Sequence, residues 1–510
     1  MPQQQRYIEI MDTTLRDGEQ TSGVSFSALE KLTIAQLLLT EVKVDRIEIA
    51  SARVSEGEFD AVKKITAWAK ANGYLNKVEV LTFVDGDVSV QWMQKAGAKV
   101  MNLLTKGSLN HLTHQLKKKP EQHFSDVAAV IALSRKKGLE CNVYLEDWSN
   151  GMRHSRDYVF QYLDFLQHQP VKRIMLPDTL GVLIPSEVFE YVSETVQRYP
   201  HIHFDFHAHN DYDLGTANVL EGVKAGAKGL HLTINGMGER AGNASLASAI
   251  AVLNDYLPSV KTAVPEKSLY TISKLVETFS GFRIPANKPV VGENVFTQTA
   301  GIHADGDKKN KLYFSDLMPE RFGRHRNYAL GKTSGKANVE NNLQQLGIQL
   351  SDEDLKKVTQ RIIELGDRKE VVTQADLPYI ISDILDSNTI NEKVRIENYV
   401  LTHSKDLNPS VTLKININGE IFEEHAQGDG QYDAFMNALK KVYKLKKLEL
   451  PVLTDYAVRF PPGGKSDALC ETIITWSHNN REFKTRGLDS DQTVSAIKAT
   501  QKMLNTIQPQ

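Results

Sequence analysis

Cysteine is almost missing from this chain: Cys141 and Cys470 are the whole supply in 510 residues, and they lie far apart in sequence. Two distant thiols make neither a disulfide framework nor a zinc ribbon, and they suit a reducing compartment. An excess of charge is missing too, since 61 Lys and Arg against 63 Asp and Glu leave a net charge of −2 with histidine neutral. That balance gives no general attraction to nucleic acid or to an anionic membrane. The lysine runs at 117–119 and 440–447 read as solvated helix faces, without the interleaved aromatics that stack on bases. No apolar run approaches the ~18 residues of a membrane span. The opening segment through Met11 is too short and polar for a secretory core. The expectation is a cytoplasmic protein with neither nucleic acid nor membrane as partner. What is present is ordinary for a globular chain: 41% hydrophobic, 24% charged, 32 Gly and 17 Pro. The length is enough for about three domains.

The first half alternates short β-rich runs with amphipathic stretches, the pattern of βα units on a parallel sheet. Strands are expected at 7–11, 45–50, 77–83, 99–104, 140–145, 172–176, 201–207 and 229–234. Helices are expected at 27–40, 56–71, 124–137, 157–167, 186–198 and 216–225, several opened by Ser, Asp or Thr at the cap. Eight such units in roughly 255 residues match a TIM (β/α)8 barrel better than an open doubly wound sheet. The fold class is therefore α/β, with a catalytic barrel over 1–260. A linker subdomain over 261–320 follows, with a helix at 266–279 and a Gly/Pro/Asn-rich loop at 281–306, long enough to be functional. A helical subdomain over 321–390 carries helical patterns at 336–346, 352–365 and 375–385, and 386–393 reads as a linker. The last part, 391–510, holds a weak repeat: strand 410–417, turn Asn418-Gly419, strand, helix 432–442, then strand 471–476, turn Asn479-Asn480, strand, helix 493–504. Two ββα units make a small pseudo-symmetric α+β domain without a catalytic cluster.

A barrel carries its chemistry at the C-terminal ends of the strands, and polar residues collect there. The first strand runs into Asp12-Thr-Thr-Leu-Arg-Asp-Gly-Glu-Gln20, the fifth ends in Glu146-Asp147, the sixth in Pro177-Asp178-Thr179, and the seventh in His207-Ala-His-Asn-Asp211. Asn235-Gly-Met-Gly-Glu-Arg-Ala-Gly-Asn243 follows the eighth. His207 and His209, two apart on an extended segment, project to one side. With Asp17 they offer two imidazoles and a carboxylate to a divalent metal with open positions, and the Asn243 amide oxygen is a candidate fourth ligand. The bland reading of the histidines is packing, and of Asp17 a turn or cap. Arg16 offers a planar fork to a carboxylate or enolate, or else an ion pair to Glu19 or Glu48. Glu146, at a strand end beside apolar residues, is placed to move protons, and Thr179 to bond a substrate carboxylate or to cap a helix. Two other strings fail on context. Gly236-x-Gly238-x-x-Ala241 lacks the acidic partner of a dinucleotide site, and Gly331-Lys332-Thr333 lacks the upstream glycine and strand of a P-loop.

These segments, together with Thr299-Ala-Gly-Ile-His-Ala-Asp305, resemble the family of 2-isopropylmalate, homocitrate and citramalate synthases, the DRE-TIM metallolyases. The resemblance covers essentially the whole chain. It implies a Claisen-type condensation: the acetyl-CoA methyl is deprotonated and attacks the keto carbon of a 2-oxo acid, and thioester hydrolysis releases CoA. It implies a divalent ion (zinc, manganese, magnesium or cobalt) on Asp17, His207, His209 and Asn243. Arg16 then steadies the developing oxyanion, Thr179 holds the carboxylate, and His303 with Glu146 and Tyr313 serves the acetyl-CoA side. Asp305 and Leu312 fall near CoA by the same resemblance. It also implies a homodimer whose post-barrel loop reaches the neighbouring barrel, and a C-terminal domain that binds an amino-acid effector. Tyr432, Asp433, Tyr456 and the turn at 461–464 match the isoleucine-sensing version, whereas Phe460, Ser466 and Cys470 depart from it. Without the resemblance, His303 reads as a loop-stabilising residue.

The ends of the third, fourth and fifth strands bear on the oxo acid. They read Leu81-Thr-Phe-Val84, Leu103-Leu-Thr-Lys106 and Tyr144-Leu-Glu-Asp-Trp148, where isopropylmalate synthases carry a Thr/Ser/His-rich segment and a Glu-Asp-Ala-x-Arg-Ser motif. Leu81, Leu104 and Tyr144 resemble the lining of a pyruvate-sized pocket, which points to citramalate and isoleucine biosynthesis with isoleucine feedback. Apolar pockets discriminate by only about 1–3 kcal/mol per methylene. The leucine-pathway 2-isopropylmalate synthase therefore stands as the alternative. A 3-hydroxy-3-methylglutaryl-CoA lyase is disfavoured because neither cysteine sits in a suitable glycine-rich loop, and an inactive amino-acid sensor because every metal and acid/base position is filled.

Overall fold

The computed structural model describes residues 5–367, 372–385, 393–459, 470–478 and 481–507. The turns at 461–464 and 479–480, Phe460, Ser466 and residues 386–392 of the expected linker lie outside them. The chain divides into two compact units, Met1–Phe296 with Phe314–Arg326, and Thr297–Tyr313 with Asn327–Gln510.

The first unit is a closed barrel of eight parallel strands. In chain order they are β1 (Glu9–Asp12), β2 (Arg46–Ser51), β3 (Val78–Phe83), β4 (Val100–Lys106), β5 (Glu140–Glu146), β6 (Ile174–Asp178), β7 (Phe204–Ala208) and β8 (Gly229–Leu232). Pairing of Glu9 with Gly229 and of Asp12 with Leu232 closes the ring. The helices pack apolar stripes on the outside of the strands, as the 3.6-residue pattern requires. Local chemistry sets their starts. Ser27 accepts from the Glu30 amide while the Glu30 carboxylate accepts from the Ser27 amide, a reciprocal cap on Ala28–Thr40. At Glu56–Ala71 the cap is one-sided, the Ser55 hydroxyl accepting from the Glu58 amide at 3.1 Å. Such a cap contributes about 1 kcal/mol.

Three barrel helices escaped the sequence reading: Val88–Ala96, Trp148–His154 and Leu246–Tyr256. The last is buried on nearly every side, with Leu246, Ala247, Ser248, Ala249, Ile250 and Ala251 inside, so it has no polar face to mark a period. The expected strand 7–11 is broken at Ile8. Its first part, Arg6–Tyr7, pairs with Val260–Lys261 instead of joining the barrel.

In the second unit, Lys336–Gln345, Asp352–Asp367 and Leu377–Leu385 enclose a small core of Val339, Leu343, Val358, Ile362 and Ile381. The C-terminal domain keeps the expected order of hairpin and helix twice, but each repeat gains a leading strand. Val394–Ser404 joins Leu407–Ile417 and Glu420–Gln427 before the helix Gln431–Leu445. Val452–Arg459 joins Cys470–His478 and Arg481–Asp489 before the helix Gln492–Thr506. The leading strands are mostly solvated, so they lack the apolar alternation that marks a strand in sequence. Among the described residues no helix is long and apolar enough to cross a membrane.

Candidate active site

Strand ends bring the site together on one face of the barrel. After β1 the chain turns back on itself, with Arg16, Asp17 and Gly18 amides all donating to the Thr13 carbonyl, so Asp17 is held over the barrel mouth. The Thr14 hydroxyl accepts from the Ile234 amide at 2.8 Å and ties this turn to the end of β8. Beyond β7, His209 and Asn243 form an isolated antiparallel bridge, which aligns the two loops. Gly238 makes room for Asn243: its φ is +155°, and a Cβ there would lie 2.3 Å from Asn243 Nδ2.

Asp17, His207 and His209 converge with ligand atoms close enough to share one ion. His207 Nε2 lies 3.3 Å from Asp17 Oδ2 and His209 Nε2 4.0 Å from it, and all three residues are buried. Burial opposes charge on Asp17, but Arg16, His207, His209 and the Asn243 amide hold its carboxyl down to about 2. Burial also pushes His207 well below the ordinary imidazole range and lowers His209. An ionised carboxylate beside two neutral imidazoles is the donor state a divalent cation needs. The polar atoms agree, since Asn243 Oδ1, His207 Nδ1 and His209 Nδ1 are buried without a hydrogen-bond partner. Asn243 Nδ2 lies 3.2 Å from Asp17 Oδ2 and 3.0 Å from the Met237 carbonyl, and exchanging amide nitrogen and oxygen gives up the Met237 bond and turns a fourth ligand atom, an oxygen, toward that carboxylate. The residues therefore fit the metal the sequence implies.

Arg16 makes the ion pair that its sequence left open, with Nε 2.6 Å from Glu48 Oε2, while Nη1 lies 3.5 Å from Asp17 Oδ1. Glu48 and Asp17 overcome the burial that would otherwise discharge the guanidinium, and its pKa is raised. One edge of the fork is thus anchored. The guanidinium stands 6.0 Å from the centre of the Tyr144 ring.

Inside the barrel Leu81, Tyr144, Met11 and Met175 form a separate apolar cluster, with Leu104 packed against it. The three residues singled out as pocket lining do come together. The Thr179 hydroxyl accepts from the Asp147 amide at 2.9 Å, which leaves its proton free to donate. Glu146 does not stand among apolar residues as its strand position suggested: Lys106, at the end of β4, is ion-paired with it.

His303 and Tyr313 lie in the second unit with ring centres 4.1 Å apart. His303 sits on a short helix, Gly301–Lys308, where a loop was expected. Asp305 on that helix is ion-paired to Lys309 at 2.6 Å, and Leu312 is exposed. In the C-terminal domain the Tyr432 and Tyr456 rings lie 5.4 Å apart, and the Tyr432 hydroxyl bonds Thr500 Oγ1 at 2.7 Å. Asp433 accepts from the Asp429 amide and from Asn437 Nδ2, both at 3.1 Å, so it closes the loop before its helix. Cys470 is buried.

Of the polar layer beneath the site, all buried, sequence reading named only Glu48, as a partner for Arg16, and missed Arg46, Glu79, Asn102, Asn142, Asp205 and His231. The available signal was charge inside otherwise apolar strands, as in Arg46-Ile-Glu48, where alternate residues face the barrel interior.

Three family models match: HMGL-like over residues 7–276, homocitrate synthase post-HMGL domain-like over 290–370, and LeuA allosteric (dimerisation) domain over 371–508. The (R)-citramalate synthase of Methanocaldococcus jannaschii is 31% identical over 98% of this chain and 99% of its own. The 2-isopropylmalate synthase of the same organism is also 31% identical, over 98% of this chain and 94% of its own. That of Oceanobacillus iheyensis is 32% identical over 95% and 93%. The chain therefore belongs to the HMGL-like enzymes, in the family that holds the citramalate and 2-isopropylmalate synthases.

Proposed function

We propose that this chain is an acyltransferase that condenses acetyl-CoA with pyruvate, giving (R)-citramalate and free CoA. Condensation of acetyl-CoA with a 2-oxo acid follows from the family. The choice of pyruvate does not, because the two synthases of one archaeon are equally similar to the chain. It rests on the pocket: Leu81, Tyr144 and Leu104 close with Met11 and Met175 into a small apolar cluster beneath Arg16. Such a lining favours a methyl over an isopropyl group, by about 1–3 kcal/mol for each methylene it excludes.

A divalent ion held by Asp17, His207, His209 and Asn243 would polarise the keto carbonyl of the bound oxo acid. The chain's own groups do the rest. Arg16, with Nε fixed by Glu48, keeps Nη2 for the oxygen that gains charge as the new carbon–carbon bond forms. The Thr179 hydroxyl, already accepting from the Asp147 amide, donates a hydrogen bond to the oxo acid's carboxylate. Removal of the acetyl methyl proton is assigned to His303, with Tyr313 against its ring, in the homodimer the family resemblance implies. Lys106 keeps Glu146 oriented at the strand end as the second proton-moving group. Asp305 and Leu312, near His303 in sequence, are assigned to CoA.

The LeuA-type domain supports feedback by an amino acid, and Tyr432, Asp433 and Tyr456 mark the effector end with isoleucine as its ligand. One experiment decides the substrate: CoA thiol release by the metal-loaded protein with acetyl-CoA and either pyruvate or 2-oxoisovalerate. The expected result is a strong preference for pyruvate and inhibition by isoleucine. Preference for 2-oxoisovalerate would place the enzyme in leucine synthesis and leave the metal site standing.

A further inference from the structure

Eight buried polar side chains close a ring inside the barrel. Glu48 Oε1 accepts from Asn102 Nδ2 at 2.7 Å, Asn102 Oδ1 from Asn142 Nδ2 at 2.9 Å, and Glu79 Oε2 from Asn142 Nδ2 at 3.3 Å. Arg46 then joins Glu79 at 3.3 Å to Asp205 at 2.7 Å. Asp205 Oδ2 meets His231 Nε2 at 3.1 Å, His231 Nδ1 meets the Tyr144 hydroxyl at 2.9 Å, and that hydroxyl returns to Glu48 Oε2 at 3.4 Å. Beyond the ring, Glu48 holds Arg16, Asp205 meets His203 Nε2 at 3.0 Å, and the His231 ring stands edge-on to His207 with centres 5.6 Å apart. Tyr144 is also a wall of the apolar cluster beneath Arg16.

Proton placement in this ring is fixed by its chemistry. Arg46 keeps Asp205 ionised against the cost of burial, so Asp205 only accepts. His231 Nε2 must then carry a hydrogen, and in the neutral ring Nδ1 presents a lone pair. The Tyr144 hydroxyl has one proton and two acceptors in reach, His231 Nδ1 at 2.9 Å and Glu48 Oε2 at 3.4 Å, and the shorter contact to the His231 lone pair takes it. The hydroxyl oxygen lies on the axis of the outer torsion, so a hydrogen bond there restrains χ1 and with it the place where the Tyr144 ring stands.

We propose that His231, aligned by Asp205, is the positioning residue for Tyr144 and thereby sets how large a 2-oxo acid side chain the pocket admits. The proposal rests on the pyruvate reading above, since it names what keeps the pocket small. His231 touches no substrate in this scheme; it acts through the tyrosine ring. The same ring atoms reach Arg16 by way of Glu48, so the pocket wall and the oxyanion group share one scaffold.

Two substitutions separate the bonds of His231. His231→Asn keeps an acceptor oxygen at the place of Nδ1, facing Tyr144, and loses the bond to Asp205. His231→Gln keeps a donor at the place of Nε2, facing Asp205, and loses the bond to Tyr144. With acetyl-CoA and metal-loaded protein, kcat and KM are measured for pyruvate and for 2-oxobutanoate, which is one methylene longer. Bound metal and thermal midpoint are measured on each variant. One hydrogen bond and one methylene are each worth roughly tenfold.

His231→Gln should lower the ratio of kcat/KM for pyruvate over 2-oxobutanoate by about tenfold, chiefly through KM. His231→Asn should hold that ratio within about threefold of the unaltered protein. Tyr144→Phe should lose as much as His231→Gln, and the double variant no more than either alone. An unchanged ratio in His231→Gln, with only metal content or thermal midpoint altered, would overturn the proposal, as would equal losses in the Gln and Asn variants. Should His231→Gln fail to fold, Tyr144→Phe reads the same bond, and an unchanged ratio there is equally fatal. Preference of the unaltered protein for 2-oxoisovalerate refutes the pyruvate reading separately, and the variant ratios still decide the role of His231.

Discussion

Asn243 turns its amide nitrogen to within 3.2 Å of Asp17 Oδ2 while its own Oδ1 stays buried without a partner. A buried carbonyl oxygen left unpaired costs about 1–3 kcal/mol. A cation between Asp17 and the two imidazoles would remove that cost by drawing Oδ1 inward, in exchange for the Nδ2 bond to the Met237 carbonyl at 3.0 Å. Asn243→Ala should therefore weaken divalent-ion binding by about tenfold or more, read by calorimetric titration of chelator-stripped protein with manganese or zinc. His207→Ala should abolish CoA release while circular dichroism stays unchanged, and retained turnover in that variant would refute the metal site.

Arg16 is committed at Nε to Glu48 and stands with Nη1 3.5 Å from both Asp17 Oδ1 and Gln20 Oε1, so Nη2 is the donor it can turn to a substrate oxygen. A lysine has one ammonium and cannot serve both directions. Arg16→Lys should lower kcat by roughly 10²-fold, the usual loss when one oxyanion donor is removed, with little effect on the unfolding midpoint. A kcat within threefold of the unaltered protein would show that Arg16 is only part of the ring's framework.

The barrel was legible because each βα unit carries its own period, and the cap at Ser27 with Glu30 is written in four residues. Asp17, His207 and His209 were legible because a barrel delivers strand ends to one face whatever lies between them. The ring through Arg46, Glu48, Asp205 and His231 was not, since its partners come from different strands and their pairing depends on strand register. The Lys106 partner of Glu146 was hidden for the same reason: Lys106 belongs to the neighbouring strand and meets it only across the sheet, where the register pairs the two. The leading strands Val394–Ser404 and Val452–Arg459 failed differently, being held by backbone pairing with little buried surface to show in the sequence.

Asp12, at the end of β1, accepts from the Thr14 amide through Oδ1 and leaves Oδ2 buried without a partner. Burial raises its carboxyl to about 7, against the lowering effect of the Thr14 bonds. The unfolded chain releases this proton near pH 4 and the folded chain retains it, so Asp12 costs stability progressively from about pH 4 to 7. Asp12→Asn keeps the oxygen that accepts from Thr14 and removes the titration. Its stability relative to the unaltered protein should improve between pH 4 and pH 8 by about 4 kcal/mol, read from urea midpoints at the two values. A gain that is flat with pH would show the carboxyl to be ionised in the fold.

His123 supplies the opposite case. Its Nε2 accepts from the Lys106 amide at 3.3 Å, so the neutral ring secures the strand end that carries Lys106 to Glu146. Burial lowers its pKa to about 4, helped by the positive charges of Lys118 and Lys106 and resisted by Asp126. Below pH 6.5 the unfolded chain takes up a proton at this position and the folded chain does not, so stability is lost as pH falls from 6.5 toward 4. His123→Gln retains an acceptor near Nε2 and cannot titrate. Compared with its own effect at pH 7.5, the substitution should be more favourable at pH 5 by about 2 kcal/mol. Lys106 and Glu146 meet at the barrel mouth, so protonating His123 should also release that pair and lower kcat in acid. In His123→Gln the acid limb of the kcat profile should then shift to lower pH, and coincident limbs in the two proteins would separate His123 from the site.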